Sequence, residues 1–136
     1  MTAYLLDTNL ASHIIKGDRE DILRRLTAVP MDALAISSMT EAELLYGVAK
    51  RGHPPALAKR VREFLLRVDV LSWDREAAKA YGDLRAGSES RGVSLAPLDL
   101  MIASHALAAG AVLVTRDKAF SRLSQELAIE DWTQAP

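Results

Sequence analysis

Short apolar runs alternate along this chain with stretches whose hydrophobic residues recur every three or four positions. Tyr4-Leu5-Leu6 and Val112-Leu113-Val114 are uninterrupted and too short for helices, as expected of strands buried on both faces. The pattern predicts a strand over 4–7, helices over 9–16 and 18–28, a strand over 34–37, and helices over 39–50 and 55–68. A short strand over 70–72, helices over 74–91 and 97–109, a strand over 112–115, a short helix over 118–123 and a last strand near 128–130 follow. Strands separated by helices imply right-handed crossovers and a mostly parallel sheet covered on both faces, an α/β fold.

Local punctuation agrees with this order. Ser38 and Asp74 suit helix N-caps, Pro97 suits a first helical position, and Gly110 suits the left-handed residue beyond a helix end. The helix over 39–50 carries a broad apolar stripe, Met39, Ala42, Leu45, Tyr46 and Ala49, expected to face the core. Leu44 and Val48 form a second strip on its other side, which a symmetric partner would bury in a homodimer.

Composition narrows the class. With 136 residues, 49% of them hydrophobic, the chain is the size of a single domain, 1–136, with a sizeable core. The absence of cysteine removes thiol catalysis and thiolate metal sites and fits a cytoplasmic protein. No stretch approaches a membrane span, and none at the N-terminus resembles a leader. The net charge of -1 conceals an uneven distribution: six basic residues and only one acid, Glu63, lie between Lys50 and Arg67. There, Lys59 and Arg62 turn outward from the stripe of Leu57, Val61, Phe64, Leu65 and Val68, as an RNA-binding face would require.

Four acids carry the candidate chemistry: Asp7 and Asp117 at the carboxyl ends of two strand signals, Glu43 at the edge of a helical stripe, and Asp99 at the start of an apolar helix. Each has an ordinary reading as a cap or a solvated side chain. Asp99 resists it most, because Ala96 stands where a reciprocal capping box needs Ser or Thr. Together, at one edge of a parallel sheet, the four would repel one another unless a hard cation, Mg2+ or Mn2+, were shared among them. Such a site serves phosphoryl chemistry.

These residues resemble the PIN domain, and within it the VapC-type toxin ribonucleases of bacterial toxin–antitoxin pairs. The resemblance rests on Tyr4-Leu5-Leu6-Asp7-Thr8-Asn9, on the helix from Ser37 to Gly47 with Glu43 four residues before its glycine, on Pro97-Leu98-Asp99, and on Val114-Thr115-Arg116-Asp117-Lys118. It implies a five-stranded sheet of order 3-2-1-4-5, metal-dependent RNA cleavage, a homodimer and a small VapB-like antitoxin. It also implies that Asp7, Glu43, Asp99 and Asp117 form the metal site, with Asp7 and Asp99 as direct ligands. Thr8, Asn9 and Thr115 would orient carboxylates or water. The flanking Arg116 and Lys118 depart from a common family pattern and are candidate RNA contacts beside Lys59 and Arg62.

Three rival classes are compatible with an aspartate at a strand end. A phosphoacceptor signalling domain would leave Glu43 idle, and a haloacid-dehalogenase-like phosphatase needs a second Asp where Asn9 stands. A metal-free ribonuclease would need convergent histidines, whereas His13, His53 and His105 are expected to lie apart, His105 as a structural residue. An RNA-processing PIN nuclease without a toxin role is the alternative within the same chemistry.

Overall fold

In the computed structural model, which describes residues 2–135, five parallel strands form one sheet in the order β3-β2-β1-β4-β5. The strands are β1 (Tyr4–Leu6), β2 (Leu34–Ser37), β3 (Asp69–Leu71), β4 (Val112–Val114) and β5 (Ile129–Glu130). Six helices connect them: α1 (Thr8–Lys16), α2 (Glu20–Thr27), α3 (Ser38–Lys50), α4 (Pro55–Arg67), α5 (Arg75–Ser90) and α6 (Pro97–Ala109). The α/β class and strand order are those expected, and element limits differ from the sequence pattern by a residue or two.

Alternation along each strand explains why both faces are covered. Leu5, Ala35 and Leu113 point into a core shared with Leu84, Leu100, Ile102 and Phe120, whereas Leu6, Ile36 and Val114 point into one shared with Leu10, Ile22, Phe64 and Trp132. In the central strands a polar side chain meets no water and needs a partner, as Ser37 at the end of β2 finds in His105 at 2.8 Å, whereas Asp69 on the edge strand β3 is exposed. The chain runs outward from β1 through β2 to β3, then returns to the other side of β1 as β4 and β5. That reversal puts the topological switch point between β1 and β4, where open parallel sheets place their ligands.

One expectation is reversed by the structure. The face of α3 buried in the core is Thr40, Leu44 and Val48, while Ala42, Leu45, Tyr46 and Ala49 lie in solvent. Leu44 and Val48 are therefore core residues, unavailable to a partner subunit. The difference has a physical source: the buried face opens with the polar Thr40 and carries two large apolar side chains, whereas the exposed side is richer in apolar residues. Thr40 is tolerated inside because it lies 3.2 Å from the Thr8 hydroxyl.

Helix ends follow their expected chemistry with small shifts. Asp74 caps α5 by accepting the Ala77 N–H, Pro97 opens α6, and Gly110 closes it at φ 64°. At α3 the cap is Ser37 rather than Ser38.

Candidate active site

Four segments converge at the carboxyl end of the sheet around a polar mouth of about 740 Å3, lined by Asp7, Glu43, Asp99 and Asp117 together with Thr8 and Arg116. Asn9 and Ser12 of α1 complete its rim.

Asp7 leaves β1 and immediately caps α1, one carboxylate oxygen accepting the Leu10 N–H at 2.8 Å. The other accepts the hydroxyl of Thr115. Register explains this pairing: Leu6 lies opposite Val114, so the next residues, Asp7 and Thr115, emerge side by side. Thr115 also accepts the Asp117 N–H at 3.0 Å, so one buried hydroxyl ties together the acids following β1 and β4. Asp117 in turn caps the short 3-10 helix Lys118–Leu123 through the Ala119 N–H. The capping role and the place at the mouth coexist at both aspartates, since a carboxylate has more acceptor sites than a cap consumes.

Glu43 reaches the mouth from α3 and accepts the hydroxyl of Thr8. Thr40, one turn earlier on α3, backs that hydroxyl from within the core. Sequence reasoning overlooked Thr40, although its spacing three residues before Glu43 places both on one helix face. Asp99 enters from the first turn of α6, half-buried beside Ile102, where the helix dipole favours an acid.

Electrostatics mark the cluster as unfavourable by itself. Burial, the largest influence, pushes the Asp7 carboxyl above the usual aspartate range, and the charges of Asp117 and Asp99 push the same way against the hydrogen bonds from Thr115 and Leu10. Asp99 is likewise raised, by burial first and then by Asp117 and Glu43, with no hydrogen bond offsetting either. Like charges held together in this way gain most from a cation.

The remaining candidates separate. Arg116 lines the mouth and Asn9 lies at its exposed rim, whereas Lys59 and Arg62 occupy the solvent face of α4 away from it. Lys59 pairs with Glu63 at 3.9 Å. His105 is buried with its Nδ1 2.8 Å from Ser37 Oγ, and burial lowers its pKa, consistent with a structural residue. His13 is closer to the mouth than expected, its Nε2 lying 3.2 Å from Arg116 Nη1.

Comparison with known proteins adds the family. Residues 4–126 match the PIN domain. The tRNA(fMet)-specific endonuclease VapC of Salmonella typhimurium is 37% identical over 133 residues, covering 97% of this chain and 99% of the relative. Ribonuclease VapC2 of Rickettsia felis is 34% identical over 131 residues, covering 95% and 97%. The crystal structure of DNA-bound VapBC from Salmonella typhimurium superimposes with a TM-score of 0.88 at 37% identity, over 97% of this chain and 99% of that one. With a family model that matches most of the chain, near full-length relatives and the expected strand order, the chain belongs to the PIN-domain family, in its VapC branch.

Proposed function

We propose that the acid mouth hydrolyses RNA phosphodiesters with Mg2+ or Mn2+, and that the protein is the toxin of a toxin–antitoxin pair acting on tRNA or another structured RNA. The observation carrying this reading is the convergence of Asp7, Glu43, Asp99 and Asp117 at the switch point of a VapC-branch fold. Among the described residues no three carboxylate or imidazole groups close into a preformed cage. The donor set still suits Mg2+, which commonly keeps several waters and uses one or two carboxylates. Asp7 and Asp99, whose carboxyls are raised by burial and neighbouring charge, are the proposed direct ligands. A bound cation would supply Lewis acidity to water and the scissile phosphate. Thr115 holds Asp7 in place, and Thr8 holds Glu43 with an oxygen free to orient water.

Cleavage is expected with added Mn2+ and lost in excess EDTA, leaving 5′-phosphate ends. Undiminished cleavage in EDTA, with cyclic 2′,3′-phosphate products, would instead require histidine chemistry. The phosphoacceptor reading is disfavoured because it gives no task to Glu43, which lines the same mouth as Asp7.

An antitoxin has a suitable seat. An apolar groove of about 550 Å3 runs beside Ile14, Leu26, Met31 and Phe64, with Arg60 and Arg67 on its rim. A small depression shares Ile15 with that groove and Thr8, Ser12 and Glu43 with the mouth. An amphipathic helix in the groove can therefore direct a following Arg or Lys along the depression to the acids. Relatives in solved VapBC structures support a partner of this kind. Expression of the protein alone should arrest growth, and co-expression of the adjacent antitoxin gene should restore it. Met31→Asp, at a partly exposed groove position, should weaken that rescue; harmless overproduction of RNA-cleaving protein would replace the toxin role with RNA processing.

A homodimer is also proposed, on a different surface from the strip suggested by the pattern alone. Leu45, Tyr46 and Leu66 are 50%, 64% and 81% exposed, a concentration of large apolar side chains on α3 and α4 suited to burial against a second copy.

A further inference from the structure

Arg116 is the cation among the described residues lining the acid mouth, and its company there is unusual. A guanidinium beside four carboxylates would ordinarily collapse onto one of them. None of the ion pairs among the described residues joins Arg116 to Asp7, Glu43, Asp99 or Asp117. Its Nη1 instead lies 3.2 Å from His13 Nε2, and His13 Nδ1 lies 2.8 Å from Asp18 Oδ1.

The two contacts determine the roles of the imidazole nitrogens. Arginine has donors only, so Nε2 must accept from Arg116; Nδ1 then carries the proton and donates to Asp18. His13 is itself held in the last turn of α1, where Gly17, in the left-handed conformation at φ 65°, donates its N–H to the His13 carbonyl at 2.8 Å. The relay thus runs from the loop after α1, through a helix end, to the residue immediately before Asp117.

We propose that Arg116 anchors a phosphate of the RNA at the mouth, and that His13, oriented by Asp18, is the positioning residue that keeps its guanidinium off the acids and turned toward substrate. This rests on the ribonuclease reading and deepens it. The physical need is clear: a polyanion approaching four carboxylates requires a fixed positive group besides the metal, and a planar guanidinium matches two phosphate oxygens. Without His13, Arg116 would be free to pair with Asp117 or Asp99, masking charge needed for the cation and removing charge needed for RNA.

The test uses the full chain with bulk tRNA as probe, measuring cleavage in Mn2+ and, separately, binding in excess EDTA, where cleavage is expected to be lost. Arg116→Ala is expected to weaken tRNA binding and raise KM about tenfold or more, as for a lost charge-assisted contact, with a smaller effect on kcat. His13→Ala should shift KM in the same direction by a few-fold, and His13→Gln, whose amide can accept from Arg116, should recover most of the loss. Thermal unfolding of His13→Ala and His13→Gln should agree, separating positioning from folding. KM and binding unchanged in Arg116→Ala would overturn the anchor; a normal KM in His13→Ala, or no recovery in His13→Gln, would overturn the relay. If the unaltered protein binds tRNA but cleaves none with Mn2+, the ribonuclease reading fails, while equal binding by Arg116→Ala would separately reject the anchor.

Discussion

Asp99→Asn is expected to lower kcat by roughly a thousandfold, the scale of losing several kcal/mol of transition-state charge stabilisation, while raising the thermal stability of the cation-free protein at pH 7. The two effects have one cause. Burial and the charges of Asp117 and Glu43 raise the Asp99 carboxyl in the folded protein. A raised carboxyl binds its proton more tightly when folded, so its favourable contribution is present below the unfolded aspartate range and is lost as pH rises through the folded value. At pH 7 the ionised side chain therefore opposes folding, and Asn removes that opposition without changing shape.

Asp7→Asn should lose activity on the same scale. Its stability gain should be smaller, because Asp7 uses its oxygens to cap α1 and to accept from Thr115. Melting curves in EDTA should show the Asp99→Asn advantage shrinking as pH falls through the raised folded value and gone below about pH 4, the unfolded aspartate range, and calorimetry should show weakened Mn2+ binding. A destabilised Asp99→Asn protein with normal cleavage would reject the proposed site.

The second large effect separates two adjacent leucines. Leu44→Glu should unfold much of the protein: Leu44 is 8% exposed within the core formed by Leu6, Ile36, Val48 and Trp132. Replacing it leaves an unpaired charge in that core, at a cost of about 3–5 kcal/mol, against a total stability of roughly 5–15 kcal/mol for a typical domain. Leu45→Glu, at a side chain half in solvent, should instead preserve the melting temperature and convert a dimer to monomers. Thermal unfolding and sedimentation at micromolar concentration distinguish the outcomes. A folded, monomeric Leu44→Glu protein would restore the dimer strip read from the pattern alone. A monomeric unaltered protein would remove the dimer altogether.

Residues close in sequence made much of this protein legible. Uninterrupted runs such as Val112-Leu113-Val114 announce buried parallel strands because helices cover both of their faces, and the alternating helices then require an α/β fold. The positions of Asp7 beyond β1 and Asp117 beyond β4 follow from the same strands. Residue type and order were also enough to express the resemblance to the PIN domain, since ordered motifs preserve spacing along the chain.

Tertiary structure decided which side of α3 is interior, because that depends on partners from other segments. Thr8 and Glu43 are 35 residues apart, and their hydrogen bond, backed by Thr40, helps turn a polar-interrupted face inward while leaving Leu45 and Tyr46 outside. Thr115 and Asp7 are 108 residues apart, and Arg116 and His13 are 103 apart. Periodicity describes how one element presents its own side chains, whereas these contacts arise only when strand pairing and helix packing bring distant elements together.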